Sequence, residues 1–233
     1  MDIYLWQIEL KIFLLKDIRF KDVMTKVAEF IDSTLKKSEK WSKYCKENRY
    51  QSYSFNSLYP VMRNGIYKKG RVYTVQIRTV EEELKDFFVE ELKKNTTDEM
   101  KGLLTEAKLL KTRKTMDKLI SVTPLVIESN RPYWRKNRTI REYVKKIKAI
   151  LIDQYNAVYD EDIDEETPLF TGVRIRNRYP IKTKFKNKRV LGEKVELAIA
   201  DNEVAQKIAF LSLGIGAGHM TNGGFSFMNP IWK

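Results

Sequence analysis

YLWQIELKIFLLKDIRFKDVMTKVAEFIDSTL, residues 4–35, changes its hydrophobic period partway along. Tyr4, Trp6, Ile8, Leu10, Ile12 and Leu14 hold every even position, which in extended backbone places them on one face of a strand. Phe20, Val23, Met24, Val27, Phe30, Ile31, Thr34 and Leu35 then recur at spacings of three and four, the stripe of a helix packed on a core. The chain therefore opens with a βα unit.

Downstream, Tyr53 to Leu58 is short and β-prone, and NGIYKKG, Asn64 to Gly70, reads as the turn of a hairpin. It leads into Tyr73, Val75 and Ile77 alternating with Thr74, Gln76 and Arg78. Val80, Leu84, Phe87, Phe88 and Leu92 return to helical spacing, and Leu103 to Thr112 predicts a strand, which completes βαββαβ. The second half repeats that order. A β-rich Leu119 to Glu128 is followed by a helix carrying Ile140, Tyr143, Val144, Ile147, Ile150, Leu151, Tyr155 and Val158. Strands around Val173 to Arg178 and Val195 to Ile199, a short helix from Asn202 to Leu211, and a last strand from Phe225 follow. The expected fold is α+β, two ferredoxin-like βαββαβ units in tandem, residues 1–118 and 119–233.

Composition narrows the function classes. Forty-four Lys and Arg against 31 Asp and Glu leave a net charge of +13, more than solubility requires, so a polyanion is the expected partner. Nucleic acid fits better than a membrane, because no basic amphipathic helix stands apart from the core helices. The apolar run Ile3 to Leu15 is interrupted by Gln7, Glu9 and Lys11 and is too short to span a bilayer, so neither a signal peptide nor a membrane span is expected. Cys45 is the only cysteine and His219 the only histidine, which excludes an intramolecular disulfide and a zinc site of the usual kind. A reducing cytoplasm and no metal or cofactor are the expectations. The acidic run Asp160 to Glu166 reads as a solvated loop after the long helix.

Three segments carry possible chemistry. In LSLGIGAGHMTNGGFSF, Leu211 to Phe227, five of the ten glycines (Gly214, Gly216, Gly218, Gly223 and Gly224) fall within eleven positions. Glycine admits positive φ and lets phosphates approach backbone N–H groups, so a phosphate-binding loop is expected; a tight turn before an edge strand is the alternative. No Lys-Ser or Lys-Thr pair follows, which excludes a Walker loop. Arg174, Arg176 and Arg178 alternate along a strand in steps of about 7 Å, comparable to successive phosphates, and Lys182, Lys184, Lys186, Lys188 and Arg189 follow on a basic hairpin. A solvated hairpin whose charges guard its edge is the alternative there. RPYWRKNRTIR, Arg131 to Arg141, interleaves Tyr133 and Trp134 with cations, either for base stacking or as core at a domain boundary.

The order of these motifs resembles the CRISPR-associated endoribonucleases that cut precursor CRISPR RNA within its repeats, the sixth Cas family of the RAMP superfamily. LGIGAGHMTNGGFSFM, Leu213 to Met228, is similar to that family's glycine-loop signature. YSFNSL, Tyr53 to Leu58, is similar to its aromatic strand, and SVTPLVIE, Ser121 to Glu128, to the Ser/Thr-Pro strand that opens its second half. The resemblance implies a metal-independent cut by the ribose 2′-OH, giving a 2′,3′-cyclic phosphate and a 5′-OH, and CRISPR repeat RNA as partner. A homodimer and association with other CRISPR effector subunits are compatible with it.

The chain departs from the family at two positions. Counting back from Tyr53 to the family's usual histidine lands on Cys45, and the tyrosine some members carry on the first helix is replaced by Phe30 or Ile31. A thiol with a pKa near 8.5 shuttles protons poorly at neutral pH. Members thought to work without histidine use lysines as electrostatic stabilisers, which points to Lys43, Lys46 and Arg49 in the loop before Tyr53, with Lys46 first. His219, inside the glycine loop, is the remaining acid–base candidate. Two readings stand beside cleavage: a non-cleaving subunit that holds CRISPR RNA in an effector complex, and an unrelated basic ferredoxin-like RNA-binding module.

Overall fold

A computed structural model describes residues 3–47, 51–112, 114–127 and 133–233. The first half runs β1 (Leu5–Leu14), β2 (Ile18–Arg19), α1 (Val23–Leu35), α2 (Glu39–Glu47), β3 (Tyr53–Phe55), β4 (Ile66–Tyr67), β5 (Val72–Thr79), α3 (Glu82–Glu91) and β6 (Met100–Leu110). Its main sheet is antiparallel in the order β3-β5-β1-β6, with α1 and α3 filling the two crossovers of a ferredoxin-like unit. Period-two alternation does what the sequence predicts: Ile8, Leu10, Ile12 and Leu14 are fully buried against Val27, Phe30 and Ile31 of α1 and Leu84 and Phe88 of α3. Two details differ. Phe20 is half exposed in a one-turn 3-10 segment, so the buried stripe begins at Val23. The expected hairpin forms, since β3 pairs antiparallel with β5, but its connection is longer than the NGIYKKG turn, and β4 within it pairs with β2 in a separate small ribbon.

The second half runs β7 (Met116–Ser121), α4 (Trp134–Asn137), α5 (Ile140–Tyr159), β8 (Phe170–Ile175), β9 (Ile181–Phe185), β10 (Lys188–Gly192), β11 (Val195–Ile199), α6 (Glu203–Ile215) and β12 (Met228–Trp232). The sheet order β12-β7-β11-β8 is the same topology again, and β9 and β10 form a hairpin inserted between its second and third strands. The expected division at 118/119 falls inside β7, whose Met116 already belongs to the second core. Helix α5 starts sharply because Thr139 and Glu142 form a capping box, each side chain satisfying the other's backbone N–H.

The two cores meet beneath the end of α6. Leu5 points away from the first core and is counted in the second, beneath the end of α6. There a Cβ on Gly214 would lie 2.3 Å from Leu5 Cδ1 and 2.8 Å from Val80 Cγ1. Gly214→Val should therefore destabilise the protein by about 1–3 kcal/mol through overpacking, read as a lower urea midpoint. Gly172→Ala, whose Cβ would meet only Ala198 Cβ at an ordinary 3.8 Å, should leave the midpoint unchanged.

Candidate nucleic-acid interface

The glycine-rich stretch is more buried than its composition suggests. Helix α6 runs four residues past Leu211, so Gly214 is helical, and the chain then turns at Gly216 with φ +83°. Each remaining glycine lets protein approach protein. An added Cβ would meet Thr221 Cγ2 at 2.6 Å from Gly216, the Val126 carbonyl oxygen at 2.6 Å from Gly218, the Phe185 ring at 2.9 Å from Gly223, and Met24 Cε at 2.4 Å from Gly224. The amides of Gly216, Ala217, His219, Gly223, Gly224, Phe225, Ser226 and Phe227 all donate within the protein. Where the sequence leads one to expect open N–H groups, the loop is the joint at which α6, the exit of β7, the β9–β10 hairpin and the first domain converge. Only residues 219–222 reach the surface, with His219 and Met220 half-buried and Asn222 exposed.

Arg78, on β5, holds the same joint electrostatically. Its side chain is 5% exposed. Nε donates to Gln7 Oε1 at 3.0 Å, Nη1 to the Met228 carbonyl at 2.6 Å and Nη2 to Asn229 Oδ1 at 2.8 Å, while the guanidinium lies 4.4 Å over the Phe227 ring. Burial lowers its pKa to about 10, still well above neutrality. Nearby, Ser54 Oγ donates to the Gly214 carbonyl at 2.7 Å. Because Gln7 and Arg78 alternate with the buried residues of β1 and β5, they sit on the sheet face turned away from α1 and α3. Asn229 likewise lies opposite Met228 and Trp232, which pack in the second core. The sheet faces turned away from α1 and α3 and from the second core are thus joined at Arg78 and Asn229, with the end of α6 packed beside the joint on the first of them.

Those faces carry cations and hydrogen-bonding side chains in register. On the first sheet Lys11 lies opposite Thr74, and Glu9 opposite Gln76. On the second, Asn229, Ile120, Glu196 and Arg174 make one cross-strand row, with Lys118 Nζ 3.0 Å from Glu196 Oε1. Arg174 is on β8, which ends at Ile175, so Arg176 and Arg178 leave the expected strand and stand exposed on the loop beyond it. Lys182, Lys184, Lys188 and Arg189 are exposed on the hairpin. Its tip docks on the first domain: Lys186 N donates to Thr25 Oγ1 at 2.9 Å, and Lys186 Nζ lies 3.6 Å from Asp32, whose carboxyl is raised in pKa by burial against that cation's lowering.

Lys194 was not foreseen from the sequence, where it is one lysine among many. Half-buried at the start of β11, it donates from Nζ to the Ser121 and Val122 carbonyls, and burial beside Arg176 lowers its pKa to about 8. Of the two readings of the aromatic pair, base stacking or core, the structure gives core for Trp134 and a half-buried, hydrogen-bonded place for Tyr133. Trp134 is buried and stacked on Tyr143 at 4.2 Å, and Tyr133 Oη, Trp134 Nε1 and Arg135 Nε all donate to the fully buried Glu193 carboxylate. Arg135 also bonds the carbonyls of Asn177 and Arg178, fixing the arginine loop to α4.

Of the catalytic candidates, Lys43, Cys45 and Lys46 lie on helix α2 where the sequence suggested a loop. Trp41 anchors that helix against Phe87 of α3. Lys43 is exposed; the side chains of Cys45 and Lys46, and all of Arg49, lie outside the described residues. His219 is tied by its backbone, N–H to the Val126 carbonyl and carbonyl from Ser226 Oγ. No helix of the described residues is long and apolar enough to cross a membrane.

No protein-family model matches the chain, and no curated protein does. Solved structures do. A CRISPR-associated protein Cas6 superposes with a TM-score of 0.73 at 15% identity over 97% of this chain and 99% of its own. A RAMP protein described as binding different RNA substrates gives 0.74 at 17% over 97% and 99%, and a Cas6-related protein from Pyrococcus furiosus 0.69 at 16% over 97% and 98%. The tandem architecture along nearly the whole chain is therefore that of Cas6 and RAMP proteins.

Two outcomes follow from the joint and the sheet faces. Arg78→Met should orphan buried acceptors at about 1–3 kcal/mol each, lowering the urea midpoint more than Lys101→Met on the exposed edge. Binding of a fluorescent single-stranded oligonucleotide should weaken roughly threefold as Lys194 loses its charge between pH 7 and 9. Lys194→Met should be flat over that window; an unchanged pH profile in the variant would count against the lysine.

Proposed function

We propose that this chain is a CRISPR RNA-processing endoribonuclease that binds the repeat of precursor CRISPR RNA and cleaves it without a metal ion. The observation that carries the proposal is the joining, at Arg78, of the two ferredoxin-like sheet faces that carry Lys11 and Arg174, within an architecture that Cas6 structures share along nearly the whole chain. Strand phosphates meet Arg174, Arg176, Arg178, Lys182, Lys184, Lys188 and Arg189, and the 219–222 turn of the glycine segment contributes the contact nearest the joint. Gly214, Gly216, Gly218, Gly223 and Gly224 act in this reading by setting that turn's position.

In the proposed reaction the 2′-OH gives its proton to a base and its oxygen bonds the adjacent phosphorus. The bond from phosphorus to the 5′ oxygen breaks, and that oxygen takes a proton, leaving a 2′,3′-cyclic phosphate and a 5′-OH. A protonated lysine stabilises the pentacoordinate charge and protonates the leaving oxygen, the role assigned first to Lys46, with Lys43 and Arg49 beside it. His219 is the group with a suitable pKa for the base, and Cys45 the substitute at the family's histidine position. With no dedicated base matched to both steps, in-line positioning of the 2′-OH supplies most of the acceleration.

The test is incubation with the repeat RNA of the protein's own locus in EDTA, beside the same RNA carrying 2′-deoxy at the cut site. Cleavage of the first alone, with a cyclic-phosphate end, is expected. Tight binding with no cut would replace the enzyme by the RNA-holding subunit. Single alanine substitutions at Lys46, Cys45 and His219 then rank the groups, a loss of about 100-fold marking an acid–base role.

A further inference from the structure

The segment from Tyr133 to Ile152 carries seven cations and one carboxylate, and the function above leaves it unused. Of its aromatic pair, Trp134 is core and Tyr133 half-buried and hydrogen-bonded, which removes stacking as its purpose. What remains outside is charge. Lys136 and Arg141 are exposed, Lys145 is exposed one turn on, and Lys148 is half-buried one turn further. Positions 141, 145 and 148 share one helical stripe, with neighbouring Cβ atoms about 5–6 Å apart. The one acid, Glu142, is held by the Thr139 backbone and hydroxyl at 2.7 and 2.8 Å, and those bonds lower its pKa.

The stripe is also continuous with the arginine loop. Arg135 ties α4 to the Asn177 and Arg178 carbonyls and to the buried Glu193, so the start of α5 and the loop bearing Arg176 and Arg178 are fixed to each other. The capping box fixes where α5 begins. A polyanion leaving the arginine loop at Arg178 therefore meets Lys136 next and then the α5 stripe, where among the described residues from Tyr133 to Ile152 the one acid is the capped Glu142.

We infer that the exposed face of α4 and the first two turns of α5 is a second RNA contact, which takes the phosphates of the same strand beyond the segment held on the sheet faces. It rests on the RNA-binding reading above and extends it to the flank of the substrate. Recognition there is by charge spacing without base readout, so it should be indifferent to sequence and steeply sensitive to salt.

The test compares a minimal repeat RNA with the same RNA extended by eight nucleotides at either end, using the full chain and the variant K136Q/R141Q/K145Q/K148Q. Gln retains helix propensity, and a matched variant, K36Q/K37Q/K94Q/K101Q, removes four cations from other surfaces. For the unaltered protein, one extension should tighten binding, and four contacts at about 0.7 each should add about 3 to the log–log salt slope. That advantage should shrink roughly 50-fold between 50 and 200 mM salt. The α5 variant should lose the advantage and its salt dependence while binding the minimal RNA as before; the matched variant should keep both. Equal binding of minimal and extended RNA by the unaltered protein overturns the inference but leaves the RNA-binding reading intact. So does equal loss in the two variants, or an α5 variant that weakens the minimal RNA as much as the extended one. Failure of the unaltered protein to bind either RNA sinks both. If the quadruple variant is misfolded by circular dichroism, the pair K145E/K148E is used with the same expectations.

Discussion

A guanidinium withdrawn from water holds this molecule together. Removing an ion of that kind from solvent costs several kcal/mol unless its donors are met, and Arg78 meets them with a glutamine, a backbone carbonyl and an asparagine drawn from both halves of the chain. The geometry that satisfies Arg78 also determines which sheet faces adjoin. Gln7 belongs to β1, on the face turned away from α1 and α3, and Asn229 to β12, on the face turned away from the second core. The joint is thus specified by hydrogen-bond direction, with shape alone playing the lesser part. Phe227 over the guanidinium and Ser54 on the Gly214 carbonyl tighten the same arrangement.

Much of the architecture was legible in the sequence because it rests on periodicity. β1, α1, β5, α3, α5 and β11 follow from alternation or helical spacing, and burial along one face enforces each. What periodicity cannot see is tertiary context. Nothing local distinguishes a glycine that must admit a phosphate from one that must admit Leu5, Phe185 or Met24, so the glycine segment was readable as special and misleading about its neighbours. Trp134 was ambiguous for the same reason, since its partner Glu193 lies 59 residues away. The lowered pKa of Lys194 comes from Arg176 and burial, neither of which a lone lysine in a list of residues announces.

The candidate site divides along the same line. Cations on β8 and the hairpin were found by alternation and are exposed as expected, although the strand stops at Ile175 and the last two arginines continue on a loop pinned by Arg135. The electrostatic role of the surface is therefore spread over a rigid frame: sheet for Arg174, a tethered loop for Arg176 and Arg178, and a hairpin anchored on α1 through Thr25 and Asp32. Frames of this kind keep charges at fixed separations, which is what reading a phosphate repeat requires.

The first core is built almost wholly from residues 8–100, yet Leu5 packs beneath α6, and two of the acceptors of Arg78, the Met228 carbonyl and Asn229, come from β12. During synthesis the first domain can complete its own interior while its joint surface is still wet, with Arg78 hydrated and Leu5 uncovered. β12, made after every other strand of the two sheets, supplies the acceptors that complete the shell of Arg78. A chain interrupted before Met228 would accordingly leave Arg78 buried without two of its acceptors, a cost that falls on the joint alone.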